Sequence, residues 1–241
     1  MKEQRFFYHP EALTSQDLPD EEMQHAVRVL RLGVGDELFL MDGKGTFCQA
    51  EITEADKRHC RYRLVKKLPQ TRAWTGWLHL AMAPTKNMVR TEWLAEKATE
   101  IGFDELTFLR CQFSERTSLK EERIDKILVS AMKQSRKAWK PVLHGMTDFK
   151  AFVQQDFPGR KYICHCYEQD DLKPKVLLKE VLTEGEDALV LIGPEGDFSV
   201  EEIKLAEQVG FVPVSLGTSR LRTETAALVA VHLMHLMNET A

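Results

Sequence analysis

From residue 77 onward the chain alternates between short apolar runs and stretches of helical apolar period, and this alternation restricts the fold more than any other feature. The runs at 77–83, 106–109, 162–166, 188–192 and 212–216 predict strands. Residues 89–101, 121–137, 175–182, 200–208 and 223–237 predict helices, the first of them stopped by Gly102. Strands separated by helices predict an α/β domain with a mostly parallel sheet. A chain of 241 residues has room for that domain and a second, smaller one.

The smaller domain is predicted over residues 1–72, with Leu68-Pro69-Gln70-Thr71-Arg72 as the linker to a larger domain over 73–241. Met23, Ala26, Val27 and Leu30 fall at helical spacing behind Asp20, the expected cap, and Gly33 stops the helix. Strand signals follow at 37–41, 46–53 and 59–67, the first two joined by the turn Asp42-Gly43-Lys44-Gly45. This pattern predicts a small β-barrel, closed or half-closed. In its last strand Arg61 and Arg63 share one face and Tyr62 and Leu64 the other, because strand side chains alternate.

The net charge of −4 argues, taken whole, against a nucleic-acid partner, but it divides unevenly: 0 over residues 1–72, +3 over 73–160 and −7 over 161–241. Basic residues gather around Arg61 and Arg63 and again at Lys133, Arg136, Lys137 and Lys140. A basic stripe on an acidic protein is the functional reading, and solvated surface positions are the alternative. No apolar run approaches the roughly 18 residues of a membrane span. The opening MKEQRFFYHPEAL has no signal-peptide core, so a cytoplasmic protein with no membrane partner is expected. The five cysteines are read as reduced thiols, and the one-residue gap in Cys164-His165-Cys166 is too short for paired zinc ligands, so no metal is expected.

The final predicted helix carries Ala226, Ala227, Leu228, Val229, Ala230, Val231, Leu233, Met234, Leu236 and Met237, which leaves almost no polar face. Such a helix has to be covered all round. One sheet covers one side, so the other is expected to meet a partner subunit, with burial inside a single thick domain as the alternative.

Phosphate-loop, dinucleotide, HExxH and GxSxG motifs are absent from the sequence. What remains is a pair of loops after two late apolar strands, IGPEGDFS (192–199) and LGTSRLRTETA (216–226). In the first, two glycines and a proline leave little side-chain bulk, so a flat ligand can approach the main chain, and Ser199 with Glu202 forms a capping box. The second passes directly into the last helix. Both are predicted at the carboxyl ends of strands, where open α/β sheets bind ligands.

Taken together with KNMVRTEWLAEKATEIG (86–102), FSERT (113–117) and RVLRLGVGDELFLMDGKG (28–45), these loops resemble the bacterial ribosomal RNA small subunit methyltransferase E family. Its members belong to the knotted SPOUT class and methylate N3 of a uridine in 16S rRNA. Two departures stand out. Asp197 occupies a position where family members commonly have a second glycine, and Lys133-Gln134-Ser135-Arg136 stands near where they commonly have an acidic residue and a Ser-Gly pair.

The resemblance implies a PUA-like RNA-binding barrel over residues 1–72 and a SPOUT domain with a C-terminal trefoil knot over 73–241. It further implies S-adenosylmethionine as cofactor, 16S rRNA in the small ribosomal subunit as substrate, and a homodimer built through the C-terminal helix. Cofactor contacts carry over to Leu191, Gly193, Pro194, Glu195 and Gly196 in the first loop, and to Leu216, Gly217, Leu221, Arg222, Thr223, Glu224 and Ala226 in the second. Such chemistry needs an oriented base, a proton acceptor and stabilisation of charge on the uracil oxygens. Arg222 is assigned the first and last of these tasks, and Glu224 or Glu195 the proton. Arg61, Arg63, Arg116, Lys133, Arg136, Lys137 and Lys140 are the candidate RNA contacts. The alternatives are a noncatalytic RNA-binding or ribosome-assembly factor with a degenerate SPOUT domain, and a SPOUT enzyme acting on another RNA nucleotide.

Overall fold

A computed structural model describes residues 4–168 and 172–240. The chain divides into two compact units, Met1–Arg72 with Val129–Lys140, and Ala73–Leu128 with Pro141–Ala241.

The first unit carries a four-stranded sheet in the order β1-β2-β3-β4, formed by Phe6–Tyr8, Glu37–Met41, Thr46–Ala55 and Cys60–Pro69. β1 runs parallel to β2, and the other two pairings are antiparallel. The described sheet does not close into a ring. The free side of β4 is met instead by residues 16–18, through Tyr62 N–H to Gln16 O at 2.8 Å and Leu18 N–H to Cys60 O at 2.9 Å. Helix α1, Asp20–Gln24, widens into a π-type turn over His25–Val29. Asp20 is its first residue rather than its cap, a role taken by Pro19, which has no side-chain oxygen to offer.

Alternation holds in β4, where Tyr62 is buried and Arg63 exposed. A bulge opposite Gln49 and Ala50 then breaks the two-residue period, and Val65, Lys66 and Lys67 are all exposed. The segment 129–140 completes this unit: Met132 and Ala138 are buried with Met41 and Phe47, and Trp139 packs beside them. It adds Lys133, Arg136, Lys137 and Lys140 and no acidic residue, which lifts the unit from zero to +4.

The second unit is a seven-stranded sheet in the order β7-β6-β5-β10-β8-β11-β9. Its strands are β5 (Leu78–Met82), β6 (Glu105–Arg110), β7 (Val142–Asp148), β8 (Arg160–Cys164), β9 (Val176–Leu177), β10 (Ala188–Ile192) and β11 (Val212–Ser215). Every pairing is parallel, as the alternation predicts. The helices are α2 (Met88–Ile101), α3 (Glu121–Ser135, whose second half belongs to the first unit), α4 (Phe149–Val153), α5 (Leu178–Val181), α6 (Val200–Gln208) and α7 (Thr223–Asn238). Where one helix was expected over 175–182, the chain makes the short edge strand β9 and then the single turn α5.

Successive residues of the central strands feed opposite cores. Leu78, Leu80 and Met82 join Ala188, Val190 and Ile192 under α2 and α7, while Ala81, Leu189 and Leu191 join Phe198, Ile203 and Ala206 under α4 and α6. Both faces are covered, so β5 and β10 are buried at every position and need no polar alternation. Helix α7 is less completely covered: Leu228, Val229, Leu233 and Met237 are half-buried and Leu236 is 54% exposed. Among the described residues, no helix is long and apolar enough to cross a membrane.

Candidate active site

Parallel strands place all their outgoing loops on one edge. Met82, Ile192, Cys164 and Val214 lie side by side across β5, β10, β8 and β11, so the segments that follow them start level with one another. The two predicted cofactor loops therefore leave strands that are not adjacent; β8 lies between β10 and β11.

The loop after β10 is held at each polar position. Glu195 Oε1 accepts the N–H of Lys86, in the loop after β5, at 2.9 Å. Asp197 Oδ2 accepts the N–H of Cys166, in the loop after β8, at 2.7 Å. Asp197 has φ 67°, the left-handed region where glycine is the ordinary occupant, and its carboxylate offsets that strain by bracing the neighbouring loop. Ser199 and Glu202 form the predicted capping box of α6, and Glu202 Oε1 also accepts the N–H of Gln112, in the loop after β6, at 2.9 Å. A methyl group placed on Gly193 would lie 3.0 Å from the N of Phe198, and one on Gly196 would lie 3.1 Å from Cβ of Phe113. Leu191, Gly193 and Pro194 are buried, and Glu195 and Gly196 are exposed.

The loop after β11 is built differently. Ser215 Oγ accepts the N–H of Gly217 at 3.2 Å, and residues 217–220 are exposed. Leu216, Leu221 and Ala226 are half-buried. Arg222, exposed, is the N-cap of α7, and its carbonyl accepts from Ala226 N–H at 2.8 Å. Thr223 and Glu224 are buried in the first turn. Glu224, only 8% exposed, has Oε1 3.7 Å from Nε of Arg90 on α2, and its buried Oε2 has no hydrogen-bond partner among the described residues. An unmet buried acceptor costs about 1–3 kcal/mol, which makes this oxygen a candidate for a ligand contact. Arg90 was not singled out from sequence; a cation in the first turn of α2 is unfavourable to the helix dipole, and that was the one local signal for it.

The end of β8 adds groups that sequence reasoning left as structural. His165 is 4% exposed, neither ring nitrogen has a partner among the described residues, and burial, aided by Lys175, pulls its pKa down to about 4. Burial raises the Cys166 thiol, Asp197 raises it further, and Lys175 and Arg220 oppose them, so charges from three loops converge on this thiol. Burial pushes Cys164 up to about 12 and Cys111 higher still. All five cysteines are free. No cluster among the described residues has the ligands for a metal ion.

Of the candidate RNA contacts, Arg61 pairs with Asp17 at 3.3 Å and Glu54 at 3.7 Å, and Arg63 with Glu51 at 2.6 Å. Lys133 pairs with the buried Glu22 at 2.6 Å. Arg136 lies 5.5 Å over the Phe6 ring. Lys137 and Lys140 are half-buried in the same unit. Arg116 belongs to the other unit, where its guanidinium donates to the Lys86 carbonyl at 2.8 and 3.3 Å.

The RNA methyltransferase domain family matches residues 73–235, and the RNA methyltransferase PUA domain family matches residues 18–64. The chain belongs to the ribosomal RNA small subunit methyltransferase E family. A relative of that name from Aquifex aeolicus is 31% identical, covering 90% of this chain and 92% of the relative. A solved structure described as a probable rRNA-methyltransferase from Porphyromonas gingivalis is 40% identical, with a TM-score of 0.90 over 97% of this chain and 98% of that one. A Legionella pneumophila protein described as a methyltransferase in complex with the bound cofactor SAM is 28% identical, with a TM-score of 0.84 over 97% of this chain and 98% of that one. Members of this family are RNA methyltransferases, and two of the segments that suggested it, 192–199 and 216–226, follow β10 and β11 at the carboxyl edge of the parallel sheet.

Proposed function

We propose that this protein, working in the cytoplasm, transfers a methyl group from S-adenosylmethionine to N3 of one uridine of 16S rRNA in the small ribosomal subunit. The observation that carries the chemistry is the buried Oε2 of Glu224, unmet among the described residues at the start of α7. The residues fit a nucleoside cofactor: Gly193 and Gly196 let their loop pack closely on Phe198 and Phe113, and Leu191, Pro194, Leu216, Gly217, Leu221, Thr223 and Ala226 supply backbone and apolar surface. When bound, S-adenosylmethionine supplies an electrophilic methyl group on a sulfonium.

Uracil N3 carries a proton that must leave as the new N–C bond forms. Glu224 accepts it at Oε2, with Nε of Arg90 3.7 Å from Oε1. Glu195, the other candidate, already accepts the Lys86 N–H and holds the loop. Arg222, exposed two residues before the buried carboxylate, orients the base and offsets charge on the uracil oxygens.

RNA is held by the basic N-terminal unit, a PUA-like domain, through Arg61, Arg63, Lys133, Arg136, Lys137 and Lys140, with Arg116 contributing from the catalytic unit. Exposed ion pairs such as Arg63–Glu51 are worth about 0–1 kcal/mol, so exchanging a carboxylate for a phosphate is inexpensive. The C-terminal segment is threaded as a trefoil knot, and α7 forms a homodimer. Its exposed Leu236, with Val89 and Trp93 exposed one turn apart on the adjoining α2, supports the second statement.

The test is incubation with labelled S-adenosylmethionine and small subunits from cells lacking the protein, followed by mapping of the methylated base. Label at uridine N3 is expected. No label in 16S rRNA overturns the reading, and label on another nucleotide corrects its target.

A further inference from the structure

We propose that Phe113 is the platform on which the target base stacks, an inference that rests on the methyltransferase reading above. Phe113 follows β6 and is 44% exposed, at the edge of the cofactor loop. A methyl group on Gly196 would come within 3.1 Å of its Cβ and 3.8 Å of its Cγ, so the ring begins where the bare backbone of that loop ends.

The turn that carries it is fixed on both sides. Cys111 N–H donates to Ser114 Oγ at 3.0 Å, Ser114 N–H to Cys111 O at 3.1 Å, and Gln112 N–H to Glu202 at 2.9 Å. Beyond it, Arg116 grips the Lys86 carbonyl, and Lys86 Nζ meets Glu115 at 2.6 Å. Around this ring the backbone and charged groups are spent on holding the turn. Phe113 stands on this fixed turn with 44% of its surface open to solvent.

Single exposed apolar side chains are ordinary on protein surfaces. Two further facts set this one apart. It adjoins the cofactor loop, and the proposed reaction needs a surface of its kind. N3 lies in the plane of uracil on the pairing edge, so the base must leave its stack to be methylated. The attacking edge has to stay open, which leaves the two ring faces as the surfaces by which protein can hold the base. An aromatic side chain does this without regard to sequence, and Arg222 then reads the oxygens at the edge.

The test compares Phe113→Ala, Phe113→Leu and Phe113→Tyr with the wild-type dimer acting on unmethylated small subunits. Phe113→Ala is expected to lower kcat/KM about 10- to 100-fold and to weaken subunit binding measured without cofactor, with S-adenosylmethionine affinity unchanged. Phe113→Tyr retains activity, and Phe113→Leu, which fills space without an extended π face, falls toward the alanine variant. Unchanged kcat/KM in Phe113→Ala, or full activity in Phe113→Leu, overturns the proposal. Loss of cofactor affinity in step with activity assigns the ring to holding the Gly196 loop, and loss of the dimer assigns it to a subunit contact; either overturns it too. If the wild type methylates no rRNA, the underlying reading fails first and the platform falls with it.

Discussion

The loops after β10 and β11 are both short connections from a parallel strand to a helix, yet they treat their carboxylates in opposite ways. In the first, Glu195, Asp197 and Glu202 each accept a backbone N–H from a different neighbouring loop. In the second, Glu224 is buried with one oxygen near Arg90 and the other unmet among the described residues. On the proposed reading the difference separates scaffold from chemistry. A carboxylate whose bond to a backbone N–H holds a loop in place is committed to that contact at one oxygen, whereas the unmet Oε2 of Glu224 is the proposed proton acceptor.

The strongest way to break this distinction is Glu224→Gln. Turnover is expected to fall about 100-fold or more with cofactor affinity kept, and unchanged single-turnover rates would remove Glu224 as the proton acceptor. Glu195→Gln keeps the acceptor for Lys86 and should change the same rate less than about threefold; a loss matching that of Glu224→Gln would reverse the two roles. Gly193→Ala pushes a methyl group toward the backbone of Phe198. A cost of about 1–3 kcal/mol is expected, read as weaker S-adenosylmethionine binding by calorimetry.

Glu202→Ala removes a capping box and the Gln112 brace together, and urea unfolding should register about 1–2 kcal/mol. Asp197→Gly is the mildest: the bond to Cys166 is lost but the left-handed backbone is relieved, for a net change within about 1 kcal/mol.

His165 sharpens the same comparison through pH. Burial holds it and His79 at about 4, below the ordinary 6.5, so the unfolded chain takes up protons that the native state refuses. Their contribution to stability is present above about pH 6.5 and is lost as the pH falls toward 4. His165→Gln should flatten that decline in urea titrations, and an unaltered slope would mean that other groups govern it.

The sequence revealed most where the signal was local. ALVLI and the Ser199–Glu202 capping box predict Ala188–Ile192 and Val200–Gln208 to the residue. β7 was missed because Gly145 and half-exposed side chains break its apolar run, and β9 because two residues have no period. The loops of the site were legible as a resemblance, but their roles were not. Whether Glu195 is an anchor or a base depends on Lys86, 109 positions away, and the Asp197 contact depends on β8 lying beside β10. Arg61 and Arg63 were placed on the right face, but their carboxylate partners follow from the pairing of β3 and β4 and from residues 16–18 packing on the far side of β4.

The segment Val129–Lys140 lies more than fifty residues beyond the rest of the unit it completes. Synthesis runs from the N-terminus, so the first 72 residues leave the ribosome without Met132, Ala138 and Trp139 to cover Met41 and Phe47. The N-terminal unit must wait while about a third of its neighbour is made. A fragment ending at the apparent linker would therefore expose an unsealed apolar face, and exchanging this unit between relatives requires cutting the gene in three places rather than one.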